Sequence, residues 1–391
     1  MSSTAPFVVF GDEWGIHPTS TQHIIRRLAG MHPLLYVNTV GLRPPHWSWY
    51  DVKRTCGKLR HWLTAEGNGK VQNVPDMHLF SPFSLPLNNI GVIQRWNKKR
   101  LTAGLRQQLR VLGFDAPVLF VSSPTGAEVV GAIGERLLIY YVSDEYAALP
   151  GVFRDYIRSL ESILLDEADL IFASSVELQR TKKGKKWPTI LLPHGVDFDH
   201  FYRAARAPGP VPEELRNLPR PLVGLYGLLA PWVDMDLIEH VARAFPKASV
   251  VLVGPKWGDF QVPLREPNLY WLGPRPYMEL PRFAAHFNVG LIPFKQNQLT
   301  ASVNPLKLLE YLALGLPVVS TPLPDLPRFA DAVYTAATPG EFVDQIKRAL
   351  AEDSLEKRER RYALAVGESW DARAATVQKH VAEALRRRKV A

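Results

Sequence analysis

Lys307 and Glu310 stand three residues apart in the stretch running from Ser302 to Thr321. On a helix this spacing puts an ammonium and a carboxylate side by side. Near a helix N-terminus, where backbone N–H groups point outward and favour anions, the pair suits a sugar nucleotide. The diphosphate matches the lysine and the N–H groups, and the ribose diol matches the carboxylate. The ends of the helix can be read directly. Asn304 suits the N-cap and Pro305 the first helical position, where its fixed φ helps and its missing N–H is not needed. Gly315 closes the helix, and Pro317 sends the chain on into a buried strand. Leu308, Leu309, Leu312 and Ala313 form its apolar face. The same spacing describes a solvated helix face in any α/β protein, so the pair alone leaves both readings open.

The rest of the chain has to position that pair. Its 391 residues suffice for two sizeable cores, and 46% hydrophobic with 22% charged residues excludes wholesale disorder. Lys and Arg exceed Asp and Glu by 9 overall and by 6 up to Pro193, which points to polyanionic partners: phosphates, an anionic membrane surface or nucleic acid. A lone cysteine, Cys56, can form neither an internal disulfide nor a metal cluster and fits a reducing cytosol. The N-terminus lacks a basic n-region, and no apolar run approaches the ~18 residues of a spanning helix. The expected location is cytoplasmic, either soluble or peripheral on the inner face of the plasma membrane.

Strand candidates alternate with helical periodicity, which predicts parallel sheets covered on both faces. The first series is Phe7–Phe10, Leu34–Val37, Met77–Phe80, Val118–Val121, Leu137–Val142, Leu170–Ser174 and Thr189–Leu192. The second is Leu222–Tyr226, Ser249–Val253, Leu269–Leu272, Val289–Pro293, Pro317–Ser320 and Val333–Thr335. Four prolines between residues 208 and 219 break the rhythm and read as part of a linker. The expected organisation is a first Rossmann-like domain over 1–195, a linker over 196–220, a second Rossmann-like domain over 221–366 and a C-terminal helix over 367–391. Ligands bind at the C-terminal ends of strands in such sheets.

The order of several short motifs resembles a GT-B glycosyltransferase, more narrowly the bacterial family 4 type that builds surface polysaccharides. Pro193-His194-Gly195-Val196-Asp197 closes the first domain, Gly224-Leu225-Tyr226-Gly227 opens the second, and Val250 to Pro255 and Asn268 to Gly273 follow. The resemblance covers nearly the whole chain and implies an α/β fold of two doubly wound domains facing a cleft, with the C-terminal helix crossing back to the first. It implies that Glu310 holds the donor ribose hydroxyls and that Lys307, with the N–H groups around Asn304, Pro305 and Leu306, lies by the diphosphate. Gly227 would let the backbone approach the phosphate, Gly273 and Arg275 would pass beside the base, and Gly15 belongs with the donor-binding set. Two departures stand out. Ser302 occupies the place of the first glutamate in the family's Glu-x7-Glu pattern, and Leu228-Leu229-Ala230-Pro231-Trp232 replaces the usual Arg and Lys after the second domain's first strand.

Acidic residues follow two strands of the first half. Gly11-Asp12-Glu13-Trp14-Gly15 precedes a helix start at Thr19 or Ser20, and Asp144-Glu145 follows Leu137–Val142. If transfer inverts the anomeric centre, it needs a base beside the acceptor hydroxyl. Asp144 is then the first candidate and Asp12 and Glu13 the next, with helix-capping acids and a surface turn as the competing readings. His194 could face the cleft from the hinge or serve as a structural hydrogen-bonder. Trp47 and Trp49 with Lys53 and Arg54 mix indoles and cations as a membrane or lipid-linked acceptor surface would, and Lys182, Lys183, Lys185 and Lys186 could extend it; a solvated loop with its tryptophans turned inward is the alternative. No nucleic-acid motif accompanies them.

The expected activity is transfer of a sugar from a UDP- or GDP-linked donor to a glycan or lipid-linked acceptor, without cofactor or metal. Asp234-Met235-Asp236 has metal-binding spacing but reads as an acidic helix start. The rivals are a sugar-nucleotide epimerase or hydrolase and a non-catalytic sugar-nucleotide or glycan-binding module. A dinucleotide-dependent oxidoreductase would need Gly-x-Gly-x-x-Gly after a strand, which is missing.

Overall fold

A computed structural model of the chain describes residues 5–15, 18–39, 69–72, 74–85 and 90–390. It divides into two units, Met1–Pro193 with Ala374–Ala391, and His194–Arg373. The first holds β1 (Phe7–Gly11), β2 (Leu34–Asn38), β3 (Gly69–Lys70), β4 (Met77–Phe80), β5 (Val118–Val121), β6 (Leu137–Val142), β7 (Leu170–Ala173) and β8 (Ile190–Leu191) in the order β3-β4-β2-β1-β5-β6-β7-β8. Every pairing is parallel except β3 with β4. β1, β5, β6 and β7 are buried at every residue, as strands sandwiched between helical layers must be. Strand order reverses between β1 and β5.

The second unit holds β9 (Leu222–Tyr226), β10 (Ser249–Val253), β11 (Leu269–Trp271), β12 (Val289–Ile292), β13 (Val318–Ser320) and β14 (Val333–Thr335), ordered β11-β10-β9-β12-β13-β14 and wholly parallel. The reversal lies between β9 and β12, the position where doubly wound sheets receive ligands.

One expectation is corrected in detail. The stretch 196–220 is more than a connector: it carries helices Phe198–Arg206 and Glu213–Arg216, and Phe201 and Leu215 lie fully buried in the second core. Its prolines punctuate short helices that hydrophobic burial holds in place. The C-terminal helix is Trp370–Val390; it follows the helix Leu355–Val366 and joins the first unit from Ala374 on. Val377 and Val381 are buried there, Gln378 meets His32 Nε2 at 3.0 Å, and the His380 ring lies 5.9 Å from Phe172. Asp234, as expected, caps a helix, accepting from the Leu237 N–H at 3.0 Å.

Candidate functional site

The second unit gathers three glycines at adjacent strand ends. Gly227 follows β9, Gly254 follows β10 and Gly273 lies two residues beyond β11; all have positive φ, at +117°, +145° and +74°. Gly227 donates to the Val253 carbonyl and Gly254 to the Gly273 carbonyl, each at 2.8 Å. A side chain at Gly254 would run into the Gly227 carbonyl, and one at Gly227 would meet Lys307 Cε at 3.2 Å and Nζ at 3.4 Å. All three need glycine for their backbone angle, and Gly254 needs it for lack of room as well.

Lys307 therefore lies over the end of β9. The helix that carries it, Leu306–Ala313, follows β12 across the switch point. Nζ sits 4.9 Å above the Phe294 ring and, among the described residues, makes no ion pair. Burial lowers its pKa to about 8, with Glu310 pulling the other way. Glu310 is buried, and its Oε2 accepts the Tyr226 hydroxyl at 2.9 Å. Burial raises its pKa to about 7, against the Tyr226 hydrogen bond and the Lys307 charge. Tyr226 ends β9 and packs edge-on against Tyr311 at 4.9 Å, so an aromatic wall fixes the carboxylate. The solvated-face reading of this pair is excluded.

The helix start departs from expectation. Pro305 is the N-cap rather than the first helical residue, and Asn304 does not cap the helix. Asn304 is instead pinned, accepting from the His194 N–H at 3.3 Å and donating to Asp325 Oδ2 at 2.6 Å. Ser302 is buried and ends the short helix Gln298–Ala301. His194 is half-buried and held neutral: burial, then the charges of Arg373 and Arg328, lower its pKa to about 4. Its carbonyl accepts from Arg373 Nε at 3.2 Å. Gly195 beside it leaves no room for a side chain against Trp370, which is 1% exposed.

Arg275 is turned to a structural pair, donating to Glu214 at 2.5 Å and lying 5.2 Å over Phe283. The segment 228–232 is packed: Leu229 and Ala230 are fully buried, and Trp232 meets Trp257 edge-on at 5.1 Å. A second cation that spacing did not reveal is Lys256, two residues past Gly254 and 5.0 Å over the Trp271 ring. Gly254 and Tyr226 were also missed as site residues; a glycine directly after a strand, in both Tyr226-Gly227 and Val253-Gly254, was the available signal.

In the first unit the strand ends carry acids. Asp144 follows β6 and accepts from the Glu145 N–H at 2.9 Å. Burial raises its pKa to about 6, helped by the charges of Glu145 and Asp12. The Asp12 carbonyl accepts the Tyr36 hydroxyl at 2.7 Å, the Glu13 carbonyl accepts from Gln22, and Gly15 turns at φ +86° before the helix Ser20–Leu28, capped by Thr19. Glu145 is structural. With Glu161 it clamps buried Lys182, at 2.8 and 2.7 Å. Lys185 and Lys186 pair with Asp166 and Glu167, so three of the four lysines read as a basic run are neutralised locally. Trp47, Trp49, Lys53 and Arg54 lie outside the described residues. Among the described residues no group of three His, Cys, Asp or Glu could hold a metal ion, and no helix is long and apolar enough to cross a membrane.

A family model described as "Glycosyl transferase-like" matches residues 235–385. A putative teichuronic acid biosynthesis glycosyltransferase, TuaH of Bacillus subtilis (strain 168), is 30% identical over 257 residues, 60% of this chain and 64% of that protein. The match thus spans less than two thirds of that relative's length. Among solved structures, Anabaena HepE in complex with UDP superposes with a TM-score of 0.67 at 15% identity, over 97% of this chain and 100% of that one. Sucrose-phosphate synthase from Thermosynechococcus elongatus gives 0.66 at 15%, over 97% and 98%. The GT-B fold class expected from the sequence is the one these structures share with the chain. The family match begins inside the second unit, at residue 235, and runs beyond that unit into the C-terminal helix.

Proposed function

We propose that this chain is a metal-independent glycosyltransferase that moves a sugar from a nucleoside diphosphate to a glycan or lipid-linked acceptor in surface polysaccharide synthesis. The observation that carries this reading is the Lys307–Glu310 pair set beside three glycine-bearing strand ends at the switch point of the second sheet. HepE, solved with UDP and with UDP-glucose, and the named role of TuaH support a nucleotide-sugar donor and a polysaccharide product.

In this mechanism the ammonium of Lys307 lies against the diphosphate, where Gly227 leaves the backbone bare. It stabilises the negative charge that grows on the nucleotide as the glycosidic bond breaks. The first N–H groups of its helix face the same charge. Glu310 accepts the ribose hydroxyls through Oε1, which makes no hydrogen bond with a described residue, while Tyr226 holds Oε2 in place. Asp144 is the base for the acceptor hydroxyl if the reaction inverts; a carboxyl near 6 is still ionised at neutral pH yet basic enough to take a proton. The enzyme works in the cytoplasm at the inner face of the plasma membrane, where a lipid-linked acceptor would lie.

Thermal stabilisation across a set of nucleotide sugars identifies the donor. Calorimetry of the matching nucleoside diphosphate with Glu310→Ala then tests the site: affinity falls by about tenfold or more, and unchanged affinity removes Glu310 from it. Donor consumed at the same rate with and without acceptor would make the protein a hydrolase.

A further inference from the structure

The helix Gly91–Leu112 contains Arg95, Lys98, Lys99, Arg100, Arg106 and Arg110 and no acidic residue. One face anchors it to the first unit through buried Asn97, Leu105 and Leu109. The opposite face, at the alternating four- and three-residue steps of a helical stripe, presents Val92, Trp96, Lys99, Arg106 and Arg110 to solvent. Val92 is 68% exposed and Trp96 38%, and Ile90, just before the helix, is 43% exposed. The indole is held in place, with Arg100 4.9 Å over its ring and Phe83 edge-on at 6.1 Å. Cations therefore share one rigid surface with apolar and aromatic side chains.

We propose that this face docks the protein on an anionic lipid bilayer, with Val92 and Trp96 entering the interface and the lysine and arginine head groups meeting lipid phosphates. The charge calls for a polyanion. The aliphatic side chains choose between polyanions: a bilayer interface takes up Ile90, Val92 and an indole between head groups, whereas a nucleic-acid backbone gives aliphatic groups no apolar partner. Long basic side chains can lay their stems along the same surface while keeping their charges at the phosphates. The surface belongs to the first unit and acts without nucleotide, so its failure would leave the donor site intact.

The test is cosedimentation of the whole chain with vesicles of phosphatidylcholine containing roughly a third phosphatidylserine, at about 0.1 M salt. The side chains of Lys99 and Arg110 make no hydrogen bond or ion pair with a described residue, so Lys99→Glu/Arg110→Glu should retain the fold, which circular dichroism checks. The wild type sediments with these vesicles, and the double variant partitions about tenfold less or lower. Trp96→Ala weakens partition about threefold to tenfold and does so also as salt rises, since its contribution is apolar. The proposal is overturned if the wild type stays in the supernatant, if it partitions equally to pure phosphatidylcholine, or if the double variant binds as the wild type does. It is also overturned if the double variant loses binding to a nucleic-acid duplex while keeping its vesicle partition.

Discussion

The two sheets reverse strand order in the same way, yet their C-terminal ends carry opposite chemistry. Around the β1/β5 switch point the first unit places Asp12, Glu13 and Asp144, with Asp144 pushed up to about 6. Around the β9/β12 switch point the second places bare backbone and Lys307, with the Glu310 carboxylate set into an aromatic wall. One arrangement of strands thus presents carboxylates in one unit and bare backbone beside a cation in the other. The clearest difference lies just past the strands: Asp12 follows β1 and Asp144 stands two residues beyond β6, whereas Gly227 and Gly254 follow β9 and β10 with no side chain at all.

The contrast breaks most severely at Gly254. Gly254→Ala brings a Cβ onto the Gly227 carbonyl at φ +145°, and should cost about 3 kcal/mol or more of stability in chemical denaturation. Gly273→Ala, with φ +74° and open space around it, should cost only about 1–2 kcal/mol. Next in size, Lys307→Met should weaken nucleoside diphosphate binding about 10–100-fold in calorimetry. Asp144→Asn should leave that affinity unchanged and lower transfer by about 100-fold or more if the reaction inverts. The two units should also respond to pH in opposite directions. Lys307 is cationic below about 8, so diphosphate affinity declines as pH rises through that value, and Lys307→Arg abolishes the decline. Asp144 is ionised above about 6, so turnover falls as pH drops through it. The smallest effect belongs to Tyr226→Phe, which frees Glu310 Oε2 and should change nucleotide affinity about threefold to tenfold.

Much of this was legible in the sequence, because parallel strands announce themselves as short apolar runs and their ends as glycine, proline or an acid. The spacing of Lys307 and Glu310 was visible too. Their burial was not, since it depends on Tyr226, 84 residues away. Asn304 misled for a similar reason: its type suits a cap, but a backbone N–H 110 residues distant claims its oxygen. The lysines after Arg180 looked like a basic run that could extend a membrane surface, and only the fold brings Glu145, Glu161, Asp166 and Glu167 to three of them. Local propensity thus identified elements reliably, while the charge state of a side chain was decided by partners far along the chain.

The return of the C-terminal helix to the first unit also bears on how the protein is made. The second unit is one uninterrupted stretch, His194–Arg373, lying inside the sequence of the first. It can close its core as soon as it leaves the ribosome. The first unit begins earlier and finishes later, because Val377, Val381 and His380 are synthesised after the whole of the second. Until then, the surface that Phe172 and His32 offer to that helix has no cover, and a chaperone that guards exposed apolar surface would have its longest dwell time there.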